Sequence, residues 1–194
     1  MNALQHVRPA VMMVILFTLV TGVAYPLAVT GLAQLALPYQ AGGSLVRDAG
    51  GQVRGSALIA QGFAGAGYLH PRLSAAGNNG YDAASSGGSN LGPMDKKLAD
   101  RVAGDAKTLE AETPGPIPAD AVTTSGSGLD PDISPENAAR QVARVAAARG
   151  LGADVVRRII ARYTEAPALG FIGQPRVNVL LVNRALDQAH PLVR

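Results

Sequence analysis

The 194-residue chain contains no cysteine and only three lysines, Lys96, Lys97 and Lys107. Without cysteine there is no disulfide framework, no thiolate metal site and no cysteine nucleophile. Charged residues make up 16% of the chain, against about 25% in an ordinary soluble protein. The net charge of +3, from 17 basic and 14 acidic residues, is too dilute for a nucleic-acid-binding stripe. The length excludes a multidomain machine and leaves room for one domain and a short extra element. With 23 glycines and 13 prolines, the chain also stays below the combined level of about 25–30% that marks low-complexity disorder.

The deficit of charge has a location. No charged residue stands between Arg8 and Arg47, and Pro9 to Leu37 is a nearly continuous apolar run, densest at Val11-Met12-Met13-Val14-Ile15-Leu16-Phe17. About 26 helical residues rise about 39 Å, enough to cross a hydrocarbon core of about 30 Å. A secretory signal would keep its apolar core to about 7–15 residues, so the run reads as an anchor. Pro26 lies within it, removing a backbone donor and freeing the carbonyl of Gly22. Thr21, Ala24, Ala28 and Gly31 recur at spacings of three, four and three, with Tyr25 beside them. Small residues at that spacing let two membrane helices approach closely, which predicts docking on another membrane protein. Orientation is open on charge alone: Arg8 stands on the N side, Arg47 and Arg54 on the C side.

The remainder, from about Ser44, predicts a nearly neutral mixed α/β domain. Ser44–Arg47 and Gln52–Arg54 flank a hairpin turn at Asp48-Ala49-Gly50-Gly51. Residues 62–92 are rich in loops. Helices are expected at Met94–Ala111, at Pro135–Arg149 behind a Ser134 cap and before Gly150, and at Asp154–Glu165 up to Pro167. Val177–Val182 is β-prone, with helix over Asn183–Gln188.

Several chemistries fail on residue type or spacing. Thr124-Ser125-Gly126-Ser127-Gly128 lacks the glycine that a G-x-S-x-G nucleophile turn needs two residues before Ser127. Asp130 and Asp132 flank Pro131 as an Asp-Pro turn would, with too few carboxylates for a hard cation. Ser85-Ser86-Gly87-Gly88-Ser89-Asn90 is similar to a Ser-Gly-Gly phosphate-facing loop, yet the chain has no G-x-x-x-x-G-K-[ST] and so no P-loop lysine. No catalytic or metal residue is assigned. Nucleotide contact through residues 85–90, raising the ATP affinity of a partner, is the alternative reading.

Six separate blocks carry a resemblance: Gly55-Ser56 with Gln61-Gly62-Phe63; Tyr68-Leu69-His70-Pro71-Arg72; Ser86 to Pro93; Ile117-Pro118-Ala119-Asp120; Ser125 to Pro135; and Pro175 to Leu180. In this order the chain resembles the KdpC family, the C subunits of bacterial Kdp potassium-transporting ATPases, along essentially its whole length. Tyr25-Pro26 matches a tyrosine-proline pair in the family's span, and Leu69 stands where the family often has an aromatic residue. The resemblance implies a non-catalytic inner-membrane subunit. Its partners would be a potassium-conducting A subunit, a P-type ATPase B subunit that uses ATP and magnesium, and a small F peptide. It further implies a cytoplasmic tail at 1–8, a span at 9–37 and an extracytoplasmic domain at 38–194, over the outer mouth of the A subunit. On this reading Ser89, Asn90, Ser125 and Ser127 would contact the partner or shape potassium entry. As plain structure, the same blocks read as turns and a helix cap.

Overall fold

The computed structural model describes residues 4–192. They divide into two compact units, the first ending at Leu45 and the second beginning at Val46.

In the first unit, helix α1 (Leu4–Leu19) passes through a π-helical turn at Val20–Ala24 into α2 (Tyr25–Ala36), followed by the short α3 (Pro38–Ala41). Gln5–Ala36 forms an apolar helical stretch of 32 residues with a mean hydropathy of 2.1, long enough to cross a membrane. The π turn answers the problem that Pro26 poses. Proline cannot donate to the carbonyl four residues back, and its ring crowds that carbonyl. The helix widens just before it, with the Tyr25 amide donating to the Val20 carbonyl. Thr21 adds a hydroxyl bond to the Phe17 carbonyl at 2.6 Å, the kind of side-chain compensation that a disturbed membrane helix uses. A π turn also interrupts the 3.6-residue count. Ala28 and Gly31 in α2 keep a common face with Ala24 at its N-cap, but the spacing from Thr21 to Ala24 runs through the bulge and does not carry the stripe across it.

Strand β1 (Leu45–Arg47), which begins on the last residue of the first unit, pairs with β2 (Val53–Ser56) in a two-stranded sheet. Asp48 organises the turn between them: its carboxylate accepts from the amides of Gly50 and Gln52 and pairs with Arg54 at 2.6 Å. A long loop leads to α4 (Lys96–Glu112) and α5 (Ala119–Val122). The remaining elements are β3 (Asp132–Ile133), α6 (Pro135–Arg149), α7 (Ala153–Arg162), β4 (Thr164–Glu165), β5 (Arg176–Asn178) and α8 (Val179–Ala189). Strand order is β3-β5-β4, antiparallel throughout, with Ile133 and Thr164 on either side of Val177.

The architecture is the mixed α/β domain that the sequence implies, and α6 has its predicted bounds. Ser134 caps it by accepting from Asn137 N–H at 3.0 Å, and Gly150 ends it in the left-handed conformation at φ 63°. Three boundaries differ. Helix α4 begins after Asp95, whose carboxylate accepts from Lys97 N–H at 2.8 Å, so Met94 lies outside it. Its inner face is only half-buried and includes Arg101 and Asp105 beside Leu98, Val102 and Leu109. Helix α7 stops at Arg162, because Thr164 leaves to pair with Val177. In the last segment the strand covers only Arg176–Asn178. Asn178 then caps α8 by accepting from Leu181 N–H at 3.1 Å, so Val179–Val182 are helical.

The core forms where α6, α7 and α8 cover the sheet. Val142, Val145, Val156, Ile160, Val177, Val182 and Leu186 cluster there, with Leu69 and Ile133. Fully burying each such side chain stabilises the fold by about 1.5–3 kcal/mol.

Candidate functional site

Loop 62–92 has little regular structure, so its backbone groups must find partners elsewhere. They find them on the helices. At Leu69-His70, just after the turn at residues 65–68, the chain is gripped from two sides. Asn183 of α8 accepts from Leu69 N–H at 2.8 Å and donates to the Leu69 carbonyl at 2.9 Å. Gln141 of α6 repeats the arrangement on His70, at 2.8 and 3.1 Å. Arg144 donates to the carbonyls of Ala66 and Tyr68, and Arg149 to that of Gly67. The Arg149 side chain is 1% exposed, pairs with Asp187 at 2.9 Å and lies 4.9 Å from the centre of the Tyr68 ring. Burial, and then the Asp187 charge, raise the Tyr68 hydroxyl above its ordinary value.

Further along, the two serine-glycine loops close on each other. Gly87 N–H donates to the Ser127 carbonyl at 2.9 Å, and the Ser86 hydroxyl donates to the same oxygen at 3.0 Å. Gly128 has φ +67°, and a Cβ there would stand 2.6 Å from the Gly87 carbonyl oxygen and 2.7 Å from Ala76 N. A Cβ on Gly88 would meet the Gly126 carbonyl oxygen at 3.0 Å. The Ser74 hydroxyl locks the joint, donating to the Gly128 carbonyl at 2.5 Å and accepting from the amides of Ala76 and Tyr81. Glycine is needed here because two backbones touch.

This arrangement sorts the predicted loop residues. Ser85, Ser86, Asn90 and Ser127 are exposed, and Ser89 is half-buried. Ser125 is 4% exposed; it lies inside the joint, so it is not the surface contact that its block suggested. As a phosphate cradle, residues 85–90 would have to present free amides, but the amide of Gly87 is taken by Ser127. In the first unit, Thr21, Ala24, Tyr25, Ala28 and Gly31 all lie exposed along the helix.

The acidic pair at the Asp-Pro turn is held within the fold. Asp130 accepts from Arg72 at 3.0 Å and from Asp132 N–H at 3.1 Å. Asp132 accepts from Asn178 at 3.1 Å and pairs with Arg176 at 3.2 Å. Burial raises the Asp132 carboxyl against the opposing pull of Arg176. Among the described residues no group of three or more His, Asp or Glu side chains could hold a metal ion.

A cavity of about 250 Å³ lies between α4 and α6, lined by His70, Leu73, Asp105, Leu109, Arg140 and Arg144 among others. Sequence reasoning missed it, because α4 reads as an ordinary amphipathic helix. Arg140 crosses its end and donates to the carbonyls of Leu109 and Thr113, tying the C-terminal turn of α4 to α6. His70 is pushed below its ordinary value by burial and by the Arg144 guanidinium, and burial lowers Arg144 in turn. The clamps Gln141 and Asn183 did carry a signal: each is an amide on an otherwise apolar helical stripe, where a buried polar group must be paired.

The arrangement is scaffold throughout: amides and guanidiniums hold loops, and loops hold one another. The family model described as K+-transporting ATPase, c chain, matches residues 7–188. The chain belongs to the KdpC family. It is 61% identical to the potassium-transporting ATPase KdpC subunit of Caulobacter sp. (strain K31), over 97% of this chain and 96% of that one. It is 54% identical to the KdpC subunit of Rhodopseudomonas palustris (strain TIE-1), over 97% and 99%. It is 57% identical to that of Myxococcus xanthus, over 87% and 81%. A KdpC chain is a non-catalytic accessory subunit of a potassium-transporting ATPase. The 32-residue apolar helix makes this member a single-pass membrane protein.

Proposed function

We propose that this chain anchors and stabilises an ATP-driven potassium importer of the bacterial inner membrane, associating with its potassium-conducting A subunit, its P-type B subunit and its small F peptide. The N-terminus is cytoplasmic, and the globule stands outside, at the outer mouth of the A subunit. ATP and magnesium belong to the B subunit. The observation that supports this reading is a family match running through helix and globule alike, from residue 7 to 188. Ala24, Ala28 and Gly31, with Thr21 and Tyr25 nearby, offer the helix a face for close approach to a partner helix. The exposed Asn90 and Ser127 of the joined loops, with the half-buried Ser89 between Gly88 and Asn90, offer hydroxyl and amide oxygens to a partner or to a hydrated cation.

Two measurements test the reading together. A topology reporter fused after Arg194 should be active only outside the cytoplasm, and deletion of residues 1–40 should abolish co-purification with the A and B subunits. A cytoplasmic reporter, or a truncated chain that still co-purifies fully, would refute the corresponding half.

A further inference from the structure

The sequence carries no charge between Glu165 and Arg176, the segment that joins β4 to β5. Its tip is oily and bare, with Leu169 83%, Phe171 77% and Ile172 54% exposed. Glycines supply part of the turn, at Gly170 and Gly173. Leu169, however, also sits at positive φ, +54°, where asparagine or glycine would be the unstrained choice. Local turn chemistry therefore does not explain why a large apolar side chain stands there in water.

The backbone of this tip is closed on itself. Ala168 N–H donates to the Ile172 carbonyl and Ile172 N–H to that of Ala168, both at 2.9 Å. Gly170 N–H donates to Pro167 at 2.9 Å, and Phe171 N–H to Ala168 at 3.3 Å. The first charges on either side, Glu165 and Arg176, pair with each other at 2.6 Å. A segment that presents apolar side chains, closes the amides of Ala168, Gly170, Phe171 and Ile172 internally and neutralises its flanks suits a medium poor in water.

Three side chains expose a few hundred Å², well short of the ~800 Å² per partner that holds a stable protein pair. A contact of that size suffices for a chain that is already tethered, because the tether supplies effective concentration. Here the tether is the membrane helix. Residues 37–44 join its end at Ala36 to β1, at most about 30 Å of fully extended chain. We propose that the 166–175 hairpin is a membrane-interface wedge: Leu169, Phe171 and Ile172 enter the headgroup–acyl boundary of the same bilayer and attach the globule at a second point. A convex tip needs no complementary pocket in lipid. The inference rests on the membrane helix and not on which face of the bilayer the globule occupies.

The absence of cysteine makes the test direct. The full chain carrying Leu169→Cys, labelled with an environment-sensitive fluorophore, is reconstituted into phosphatidylethanolamine–phosphatidylglycerol vesicles. The same chain labelled through Met94→Cys, a position 95% exposed elsewhere on the globule, serves as the reference. Lipids with a quencher high on the acyl chain should quench the probe at 169 several-fold more than the probe at 94, and iodide should quench it less. Adding Phe171→Ser and Ile172→Ser should abolish that difference while the circular dichroism spectrum stays unchanged. Equal iodide quenching at both positions would overturn the proposal. So would a probe at 169 that ignores lipid quenchers and becomes shielded only when the A and B subunits are reconstituted with it, since the tip would then be a protein contact.

Discussion

The side-chain amide of Asn183 closes both backbone groups of Leu69, with Oδ1 accepting from its N–H at 2.8 Å and Nδ2 donating to its carbonyl at 2.9 Å. Both residues are almost fully buried. The contact performs the work of a neighbouring β-strand, and Gln141 does the same for His70. A loop without a sheet is thereby built into the core from two helices, and the Leu69 side chain packs among their valines.

Replacing Asn183 with alanine strands a buried donor and a buried acceptor at once. Each unsatisfied group costs about 1–3 kcal/mol, so the variant should lose about 2–6 kcal/mol in chemical denaturation of the full chain in detergent. Asn183→Asp keeps the shape and the acceptor but loses the donor, and should also destabilise. If both variants unfold at the wild-type denaturant concentration, the clamp contributes nothing.

The joint between the serine-glycine loops predicts a contrast two residues apart. Gly128→Ala meets backbone atoms at 2.6 and 2.7 Å in a left-handed conformation, whereas Gly126→Ala meets nothing within 4 Å. The first should cost about 2 kcal/mol or more, since neither backbone can yield cheaply. The second should stay within about 0.5 kcal/mol of wild type. Equal thermal midpoints for the two variants would show that the loops do not depend on this contact.

How much of this could be read from residues alone depended on how local the cause was. Ser134, Pro135 and Gly150 bound α6 by chemistry within a few positions, and its limits were legible. The apolar run and Pro26 announced a disturbed membrane helix, though not that the disturbance would be a π turn. The ends of α7 and β5 were misread because their cause lies elsewhere in the chain: Thr164 leaves the helix to meet Val177, and Asn178 serves at once as strand partner of Asp132 and cap of α8. The glycines at 87 and 128 were legible as turns, but their contact was not, so Ser125 looked like surface.

The depressed His70 imidazole predicts the sign of one pH dependence. Burial, then Arg144, hold it below its ordinary value of 6.5, with Glu112 opposing and the Gly65 carbonyl accepting at 3.2 Å. As pH falls through 6.5 the unfolded chain binds a proton that the folded chain does not, so stability is lost. The loss begins at the ordinary value and is complete below the folded one. The thermal midpoint should therefore fall from pH 7.5 towards pH 5.5, and His70→Gln should flatten that slope. An unchanged slope in the variant would assign the acid sensitivity to other groups.

Pro26 makes the last test, because its ring and missing donor account for the π turn at Val20–Ala24 in a way that substitution can reverse. With Pro26→Ala the i→i−4 ladder can close through this stretch. Removing the extra residue rotates α1 against α2 by about 100°, one residue of helical phase. Single cysteines placed through residues 12–34 of the cysteine-free chain in vesicles should show lipid-quencher accessibility that repeats every 3.6 residues but slips phase at 20–24. In the Pro26→Ala chain the slip should vanish. If the helix docks on a partner through surfaces on both sides of the turn, co-purification with the A subunit should fall together with the slip. Should the slip persist, proline is not its cause, and the Thr21 hydroxyl on the Phe17 carbonyl becomes the next candidate, tested by Thr21→Val in the same scan.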